Sequence, residues 1–303
     1  MSRQFVVFMA IAVTLGAIAV PIPLQNESIV YRIPVTGEIE LGLAPYIQRT
    51  VQEAAEVGAA ALILDIDTPG GRVDAAETIS DALTDSEVPV YALVNRRAYS
   101  AGALITLSTS RIYMRPGSVI GAATPVDGTG TKAPEKIVSA MRSQMRALAE
   151  SHGLEPEVAA AMVDEDIEID GIVEKGKLLT LTTEEAVAIG YAEEIEDLDA
   201  LLRELGQESA RVVTPDLNWA ERLVRFFSSS LVSPFLLSLG FLGLLAEIRT
   251  PSFGLAGAVG ITCLALFFGS NMIVGLAGLE DVLIVGAGLV LLGIEAFFVP
   301  GFG

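Results

Sequence analysis

The chain loses almost all of its charge toward its C-terminal end, and this change constrains the fold more than any other feature. Residues 226–246 are 21 consecutive uncharged residues, residues 250–279 are 30 more, and a third apolar segment begins at Val282. About 20 apolar residues in a helix are enough to cross the hydrocarbon core of a bilayer. Three such segments in series predict a multi-span transmembrane region over residues 227–303 rather than buried helices of a soluble domain.

A short pattern recurs within this region. Pro251-Ser-Phe-Gly254 and Pro300-Gly-Phe-Gly303 lie 49 residues apart, and a glutamate, Glu247 or Glu295, precedes each of them closely. We expect both glutamates at the ends of spans rather than in a catalytic site. Because the second copy stops at Gly303, we expect more sequence to follow. Residues 250–279 predict either one long span or a short helix with a re-entrant piece.

The preceding part of the chain is acidic. Residues 26–226 contain 34 acidic and 17 basic residues. This balance argues against a nucleic-acid partner, whose phosphates require basic side chains, and against electrostatic docking on anionic lipid. Cys263 is the only cysteine in the sequence, so a disulfide within the chain is impossible.

The first 25 residues have the pattern of an export signal. Arg3 precedes the apolar residues 5–15, and the small-residue pattern Ala17-Ile-Ala19 follows. A permanent membrane anchor is the alternative interpretation. Both interpretations place the next domain outside the cytoplasm.

Strand-like and helix-like segments alternate from residue 26 to residue 206. Strands are predicted at 30–36, 59–64, 88–94, 111–115, 178–181 and 191–196, and helices at 43–60, 73–83, 100–107, 136–153, 159–162 and from Thr183, with a last helix at 198–205. This order favours βαβ units and a largely parallel sheet covered by helices. Residues 207–226, which are polar at first and contain Pro215, are predicted to be a linker.

Two strand-to-helix corners could carry chemistry. Pro69-Gly70-Gly71 follows the second predicted strand, and Ser100 follows the third within Ala98-Tyr-Ser-Ala-Gly102. Adjacent glycines allow positive φ and a close approach of ligand to backbone, and amides beside a helix N-terminus stabilise negative charge. The alternatives are an ordinary Pro-Gly turn and a serine that serves only as a helix N-cap.

Few other catalytic groups are present. His152 is the only histidine, and a catalytic triad that includes it is a minor alternative to a helix-capping role. The sequence contains no Cys/His metal cluster, phosphate loop or dinucleotide fingerprint, so no metal or cofactor is predicted. The lysines are Lys132, Lys136, Lys175 and Lys177. A lysine acts as a base only when burial lowers the pKa of its amine. Lys136 suits this role best because Ile137, Val138, Met141 and the Pro134 turn could cover it, although a solvated lysine is the simpler reading.

The segments Asp67-Thr-Pro-Gly-Gly71, Ser100-Ala-Gly102, Pro116-Gly-Ser-Val-Ile-Gly121 and Ala133-Pro-Glu-Lys136 together resemble the ClpP-class membrane serine proteases of the NfeD family, relatives of signal peptide peptidase A. The resemblance implies a ClpP/crotonase-like α/β fold followed by α-helical transmembrane segments. It also implies Ser100 as nucleophile, Lys136 as general base and the N–H groups of Gly71 and Ala101 as an oxyanion hole, with Gly70 supporting the turn. Tyr99 departs from the small residue expected before the serine, which would narrow the site.

We therefore expect a multi-pass protein of the cell membrane with an extracytoplasmic serine endopeptidase domain that cleaves apolar peptide segments. The resemblance further implies stomatin- or prohibitin-like partners and a homo-oligomer. One alternative function is a non-proteolytic membrane scaffold for stomatin-like assemblies. Acyl-thioester chemistry on the same fold is another, disfavoured because it needs no serine and lysine pair.

Overall fold

The structure is a computed structural model that describes residues 28–127, 129–229, 231–249, 254–273, 282–288 and 290–291. Within these ranges the strands are β1 (Ile29–Thr36), β2 (Ala61–Thr68), β3 (Val90–Tyr99), β4 (Arg111–Met114), β5 (Val119–Gly121), β6 (Thr180–Thr182), β7 (Glu193–Glu194) and β8 (Arg211–Val213). The helices are α1 (Leu43–Glu56), α2 (Val73–Thr84), α3 (Ala101–Leu107), α4 (Glu135–Ser151), α5 (Pro156–Ala161), α6 (Thr183–Ala188), α7 (Leu198–Glu204), α8 (Trp219–Ser228), α9 (Val232–Arg249) and α10 (Leu255–Ile273). The predicted signal or anchor at residues 1–25 lies outside the described residues.

The strands form one sheet in the order β6-β5-β3-β2-β1-β8, with β4 between β3 and β7 on a side branch. All pairs are parallel except β5 with β6. The first half of β3 pairs with β4 and its last three residues pair with β5, so the sheet divides along β3. The mixed, mainly parallel α/β architecture that the alternating pattern predicts is therefore confirmed.

Alternate residues of the central strand β2 contribute to two hydrophobic cores. Leu62 and Leu64 belong to the larger core, which α1 to α5 cover. Ala61 and Ile63 face a smaller core that Leu201 of α7 closes. A strand covered on both faces reads as a continuous apolar run, which explains why residues 59–64 show no alternation.

β2 continues four residues beyond this predicted run, into a segment that contains two aspartates. Asp65 is buried, and its carboxylate accepts hydrogen bonds from Arg32 Nε on β1 and Asn95 Nδ2 on β3, both at 3.0 Å. Partners on both neighbouring strands therefore allow a charged residue to stay in the sheet.

The segment predicted as a linker contains regular structure. β8 (Arg211–Val213) adds to the sheet beside β1, and α8 packs against α1 and the apolar helices. Three residues are too short to show a strand period. α8 carries helical signals that the linker prediction overlooked: the capping pair Asn218 and Glu221, and the apolar residues Trp219, Leu223 and Phe226 at helical spacing.

The helices α9 and α10 are long and apolar enough to cross a membrane, and few of their residues are buried. They cross at glycines: a Cβ built on Gly243 would lie 2.7 Å from the Ala256 carbonyl oxygen, and one on Gly260 2.8 Å from the Gly240 carbonyl oxygen. Small residues allow this approach of two helix backbones. Glu247 accepts hydrogen bonds from the N–H groups of Gly254 and Gly257, so it caps α10 at the end of the predicted span.

The rest of the predicted transmembrane region is described only in part. α10 forms one continuous helix within residues 250–279, and residues 282–288 are also helical. Glu295 and the second Pro-x-Phe-Gly copy lie outside the described residues.

Candidate active site

The first corner, between β2 and α2, is built tightly around Gly70. Its φ is +104°, which favours glycine, and its N–H donates to Thr68 Oγ1 at 3.0 Å. A Cβ on Gly70 would lie 2.6 Å from the Cβ of Ser100 and 2.9 Å from the Tyr99 carbonyl oxygen. The Pro-Gly-Gly turn and the serine corner are therefore in direct contact, because β2 and β3 are parallel neighbours paired at Thr68 and Ala98.

Ser100 occupies the second corner, between β3 and α3, in a strained conformation. Its φ is +54° and its ψ is −121°, which L-residues rarely adopt, and its N–H donates to the Gly121 carbonyl oxygen at 3.0 Å. Ser100 stands at the N-cap position, yet its side chain forms no capping hydrogen bond. The N-cap reading is thus not supported, and a strained strand-to-helix serine is a geometry that presents a nucleophile.

Two backbone N–H groups at these corners remain available. Ile39 pairs with Gly71 as a parallel bridge, in which Ile39 N–H donates to the Gly70 carbonyl oxygen and Arg72 N–H donates to the Ile39 carbonyl oxygen. This alternation turns the Gly71 N–H away from Ile39. Neither the Gly71 nor the Ala101 N–H donates a hydrogen bond to a residue that the structure describes. Both N–H groups can therefore donate hydrogen bonds to a negatively charged oxygen.

Lys136 lies in the first turn of α4 and is exposed, so the expectation that its neighbours cover it is wrong for the isolated chain. The buried stripe of α4 consists of Val138, Met141, Met145 and Ala149. Lys136 precedes Val138 by two positions, which is about 200° around a helix. The side chain therefore points away from the core, and Ile137 is exposed beside it.

The other candidate bases are engaged elsewhere. Lys132 Nζ pairs with Glu165 Oε1 at 3.1 Å, and this hydrogen bond raises the pKa of Lys132. His152 is the C-cap of α4, about 25 Å from the Lys136 end of that helix, and burial lowers its pKa. The side chain of Lys136 forms no ion pair or hydrogen bond with any described residue. Lys136 is thus the amine left for chemistry at this end of α4.

A cleft of about 840 Å³ brings Lys136 and Gly71 together between α2, α4 and the loop before α4. Its apolar surface comes from side chains that include Val73, Val126 and Ile137. On the α2 side, burial alone would raise the pKa of Asp74, but the hydrogen bonds and charge of Arg72, together with backbone N–H groups, more than offset burial, so the pKa of Asp74 is lowered. Burial and neighbouring Asp74 and Asp81 raise the pKa of Glu77.

Three residues that support the corners have no assigned role in the sequence-based predictions, although Thr68 and Gly102 stand within the quoted motifs. Thr68 Oγ1 donates to the Gly37 carbonyl oxygen at 2.6 Å, and Ile39 pairs with the Gly70-Gly71 turn. A Cβ on Gly102 would lie 2.5 Å from Thr68 Cγ2, so α3 approaches β2 only because residue 102 is glycine. The segment after β1 carries no motif that would indicate its contact with the turn.

A mainly parallel sheet with a strained serine at one corner, a glycine turn against it and apolar helices beyond defines a membrane-attached α/β protein of ClpP-like type. Comparison with known families agrees. Residues 29–215 match the family described as "NfeD1b, N-terminal domain". Residues 231–303 match the family described as "NfeD integral membrane domain". The chain belongs to the NfeD family, and its predicted ClpP/crotonase-like fold class is confirmed.

Two relatives show the extent of the similarity. Membrane protein NfeD1b of Bacillus subtilis (strain 168) is 42% identical over 278 residues, which cover 91% of this chain and 63% of that protein. Membrane-bound protease PH1510 of Pyrococcus horikoshii is 28% identical over 280 residues, which cover 82% of this chain and 61% of that protein. The chain thus spans less than two thirds of the length of these relatives.

Solved structures of 1510-N, a membrane-bound stomatin-specific protease, resemble about two thirds of this chain. A lysine-to-alanine mutant in complex with a substrate peptide has a TM-score of 0.57 and 26% identity, and the match covers 67% of this chain and 99% of that one. A serine-to-alanine mutant has a TM-score of 0.54 and 27% identity, with 63% and 99% covered. Homology to a membrane-bound protease therefore supports a proteolytic function.

Proposed function

We propose that this membrane protein is a serine endopeptidase in which Ser100 is the nucleophile and Lys136 is the general base. The observation that carries the proposal is the backbone of Ser100, which is strained, free of a capping bond and in contact with the Gly70 turn. Strain of this kind costs about 1–3 kcal/mol and persists where function requires it.

The proposed reaction begins with neutral Lys136. Ser100 Oγ attacks the carbonyl carbon of a peptide bond, and its proton passes to Lys136 Nζ. The N–H groups of Gly71 and Ala101 donate to the tetrahedral oxyanion, as preorganised donors worth about 3–4 kcal/mol each. When the tetrahedral intermediate collapses, Lys136 returns the proton to the departing amine. Water then attacks the acyl-enzyme ester and gives a proton to Lys136, which passes it to Ser100 Oγ as the ester bond breaks. The new carboxylic acid leaves and loses its proton to solvent.

The exposure of Lys136 sets a condition on this reaction. An ammonium group in water keeps its proton, and only removal from water disfavours the charged form. The cleft around Lys136 offers apolar side chains, among them Val126 and Ile137, which are exposed in the isolated chain. An apolar peptide bound there would exclude water from the amine. Substrate preference and activation of the base would thus have one cause.

The cellular setting belongs to the same proposal. We place the protein in the cell membrane with several spans and with its catalytic domain on the extracytoplasmic side. Stomatin-like membrane proteins are the proposed substrates or partners, since 1510-N is described as stomatin-specific, and self-association into a homo-oligomer would further cover the cleft.

A non-proteolytic scaffold is the second candidate, and the exposed Lys136 favours it. The two functions separate in one assay, in which the full chain in detergent micelles is incubated with a fluorogenic apolar peptide. Ser100→Ala should lower turnover by about 10³-fold or more, whereas Ser110→Ala, an exposed serine beyond α3, should leave it unchanged. Turnover at the background level in both the parent and Ser100→Ala chains would leave the scaffold as the function, and equal turnover above background would rule out Ser100 as the nucleophile.

A further inference from the structure

Helix α8 (Trp219–Ser228) is a ten-residue helix directly before the membrane domain. It begins with a capping box, in which the Asn218 side chain accepts from Glu221 N–H and the Glu221 side chain accepts from Asn218 N–H, both at 2.8 Å. Reciprocal capping of this kind fixes the start of a helix. α8 is therefore a defined element rather than part of a flexible tether.

Two ion pairs attach one face of α8 to the catalytic domain. Arg49 Nε of α1 donates to Glu221 Oε1 at 2.6 Å, and Arg225 Nε donates to Glu40 Oε1 at 2.6 Å. Both carboxylates are buried. Val224 is buried on the same side, so these contacts set which face of α8 points away from the domain.

The outward face is apolar. It consists of Trp219, Leu223 and Phe226, which are 75%, 46% and 59% exposed, with exposed Arg222 at its edge. A helix on the surface of a soluble domain normally shows the opposite arrangement, with apolar side chains inward and charges outward. We call this surface the outer face of α8.

The position of α8 indicates what covers the outer face. α9 begins at Val232, four residues after α8 ends, and its exposed Phe235 and Leu239 continue the apolar surface that exposed Leu231 begins. Ten residues extend about 15 Å, half of the hydrocarbon core, so α8 is too short to cross it. Tryptophan and arginine beside a span are typical of the boundary between headgroups and acyl chains.

We propose that the outer face of α8 lies in this boundary of the bilayer and holds the catalytic domain at the membrane surface through the two ion pairs. The proposal rests on the membrane domain and not on the proposed protease activity. Because residues 26–226 contain 34 acidic and 17 basic residues, attachment by the outer face is apolar, and neutral phosphatidylcholine suffices to test it.

Trp219 is the only tryptophan of the chain and lies on the outer face, so it reports on the proposal directly. The full chain is reconstituted in phosphatidylcholine vesicles that contain lipid brominated at a shallow or at a deep acyl position. We expect shallow bromines to quench Trp219 fluorescence more than deep ones, and aqueous acrylamide to quench it weakly. Strong quenching by acrylamide together with none by bromolipid would overturn the proposal.

Two further outcomes would also overturn it. Protection from both quenchers means that a second copy or another protein covers Trp219, and stronger quenching by deep bromines means that α8 belongs to a span. As a variant test, Phe226→Asp should increase quenching by acrylamide and reduce quenching by shallow bromolipid. Val187→Glu, which replaces an exposed valine on α6, is the matched control and should leave quenching by acrylamide and by bromolipid unchanged. If Val187→Glu changes quenching as much as Phe226→Asp does, the result counts against the proposal.

Discussion

Replacement of Arg225 by methionine should loosen the proposed oxyanion turn, although Arg225 belongs to α8. Arg225 Nε contacts Glu40 Oε1 at 2.6 Å, and Gly42 N–H donates to the other oxygen at 2.6 Å. Ile39, the residue before Glu40, forms backbone hydrogen bonds with Gly70 and Arg72, the two neighbours of Gly71. Loss of the ion pair therefore acts on the segment that positions the Gly71 N–H.

The expected size of this effect follows from burial. Removal of one partner from a fully buried ion pair destabilises a protein by about 3–5 kcal/mol. The Glu40 side chain is 9% exposed but that of Arg225 is 27% exposed, so solvent screening reduces the expected loss to about 1–3 kcal/mol. A local opening equilibrium would shift by about 5–150-fold.

The effect should also depend on pH with a defined sign. Burial raises the pKa of Glu40 above its ordinary 4.5, and Arg225 opposes that rise only in part. An acid with a raised folded-state pKa favours folding below its unfolded pKa and loses that contribution as pH rises through the folded pKa. Without Arg225 the Glu40 pKa rises further. The difference in the free energy of unfolding between the parent and Arg225→Met should thus be largest at neutral pH. It should disappear as the pH falls toward 4.5.

Hydrogen exchange of the full chain in micelles measures the loosening directly. In Arg225→Met the Ile39 and Arg72 amides should exchange about 5–150-fold faster than in the parent. Turnover of an apolar peptide should fall in the same variant. The Arg222 amide, which donates to the Asn218 carbonyl oxygen, reports whether α8 stays folded. Arg146→Met, which breaks an exposed pair with Glu157, is the control. If α8 stays folded and the Ile39 and Arg72 amides exchange at the parent rate, the reasoning is refuted. The double variant Glu40→Gln with Arg225→Met should restore the protection of these two amides from exchange.

Two further substitutions test close approaches of the backbone. Gly70→Ala and Gly117→Ala both place a Cβ at positive φ, at a cost of about 1–2 kcal/mol, but of the two only Gly70 has neighbours within 4 Å, including Ser100. Peptide turnover should therefore fall by about 10²-fold or more in Gly70→Ala alone. Similar losses of turnover in both variants would contradict the contact between Gly70 and Ser100. Gly260→Val should separate α9 from α10 and lower the thermal stability of the membrane domain by about 1–3 kcal/mol, because a Cβ at 260 meets the Gly240 carbonyl oxygen at 2.8 Å. Gly269→Val on α10, with no neighbour within 4 Å, is the matched control, and equal melting of the two variants would argue against the crossing.

The sequence was informative where one segment of chain determines the outcome. The Pro-Gly-Gly turn and the serine corner follow from a buried run, a breaker and a helix start, and both stand at the ends of parallel strands. The extension of β2 through Asp65 could not be predicted in this way, since its partner Arg32 lies 33 residues away in sequence. The linker prediction overlooked α8, although its capping pair Asn218 and Glu221 and its apolar residues at helical spacing are visible in the sequence.

Side-chain exposure and backbone strain were beyond prediction from local pattern. Apolar neighbours in sequence suggested a covered Lys136, but the buried stripe of α4 begins at Val138 and leaves Lys136 outside it. Ser100, whose φ is positive, donates its N–H to Gly121 on β5, a three-residue strand that was not predicted. Contacts between segments, rather than propensities within them, decide these features.

The most direct test is whether Ser100 is a nucleophile that depends on Lys136. The full chain in micelles is treated with a fluorophosphonate, which modifies activated serines, with and without an apolar peptide, and the adduct is located by mass spectrometry. We expect one adduct on Ser100 that forms much more slowly in Lys136→Ala but at the parent rate in Lys177→Ala, whose lysine forms an exposed pair with Glu174. The absence of an adduct on Ser100, or labelling at the same rate without Lys136, would contradict the proposed dyad.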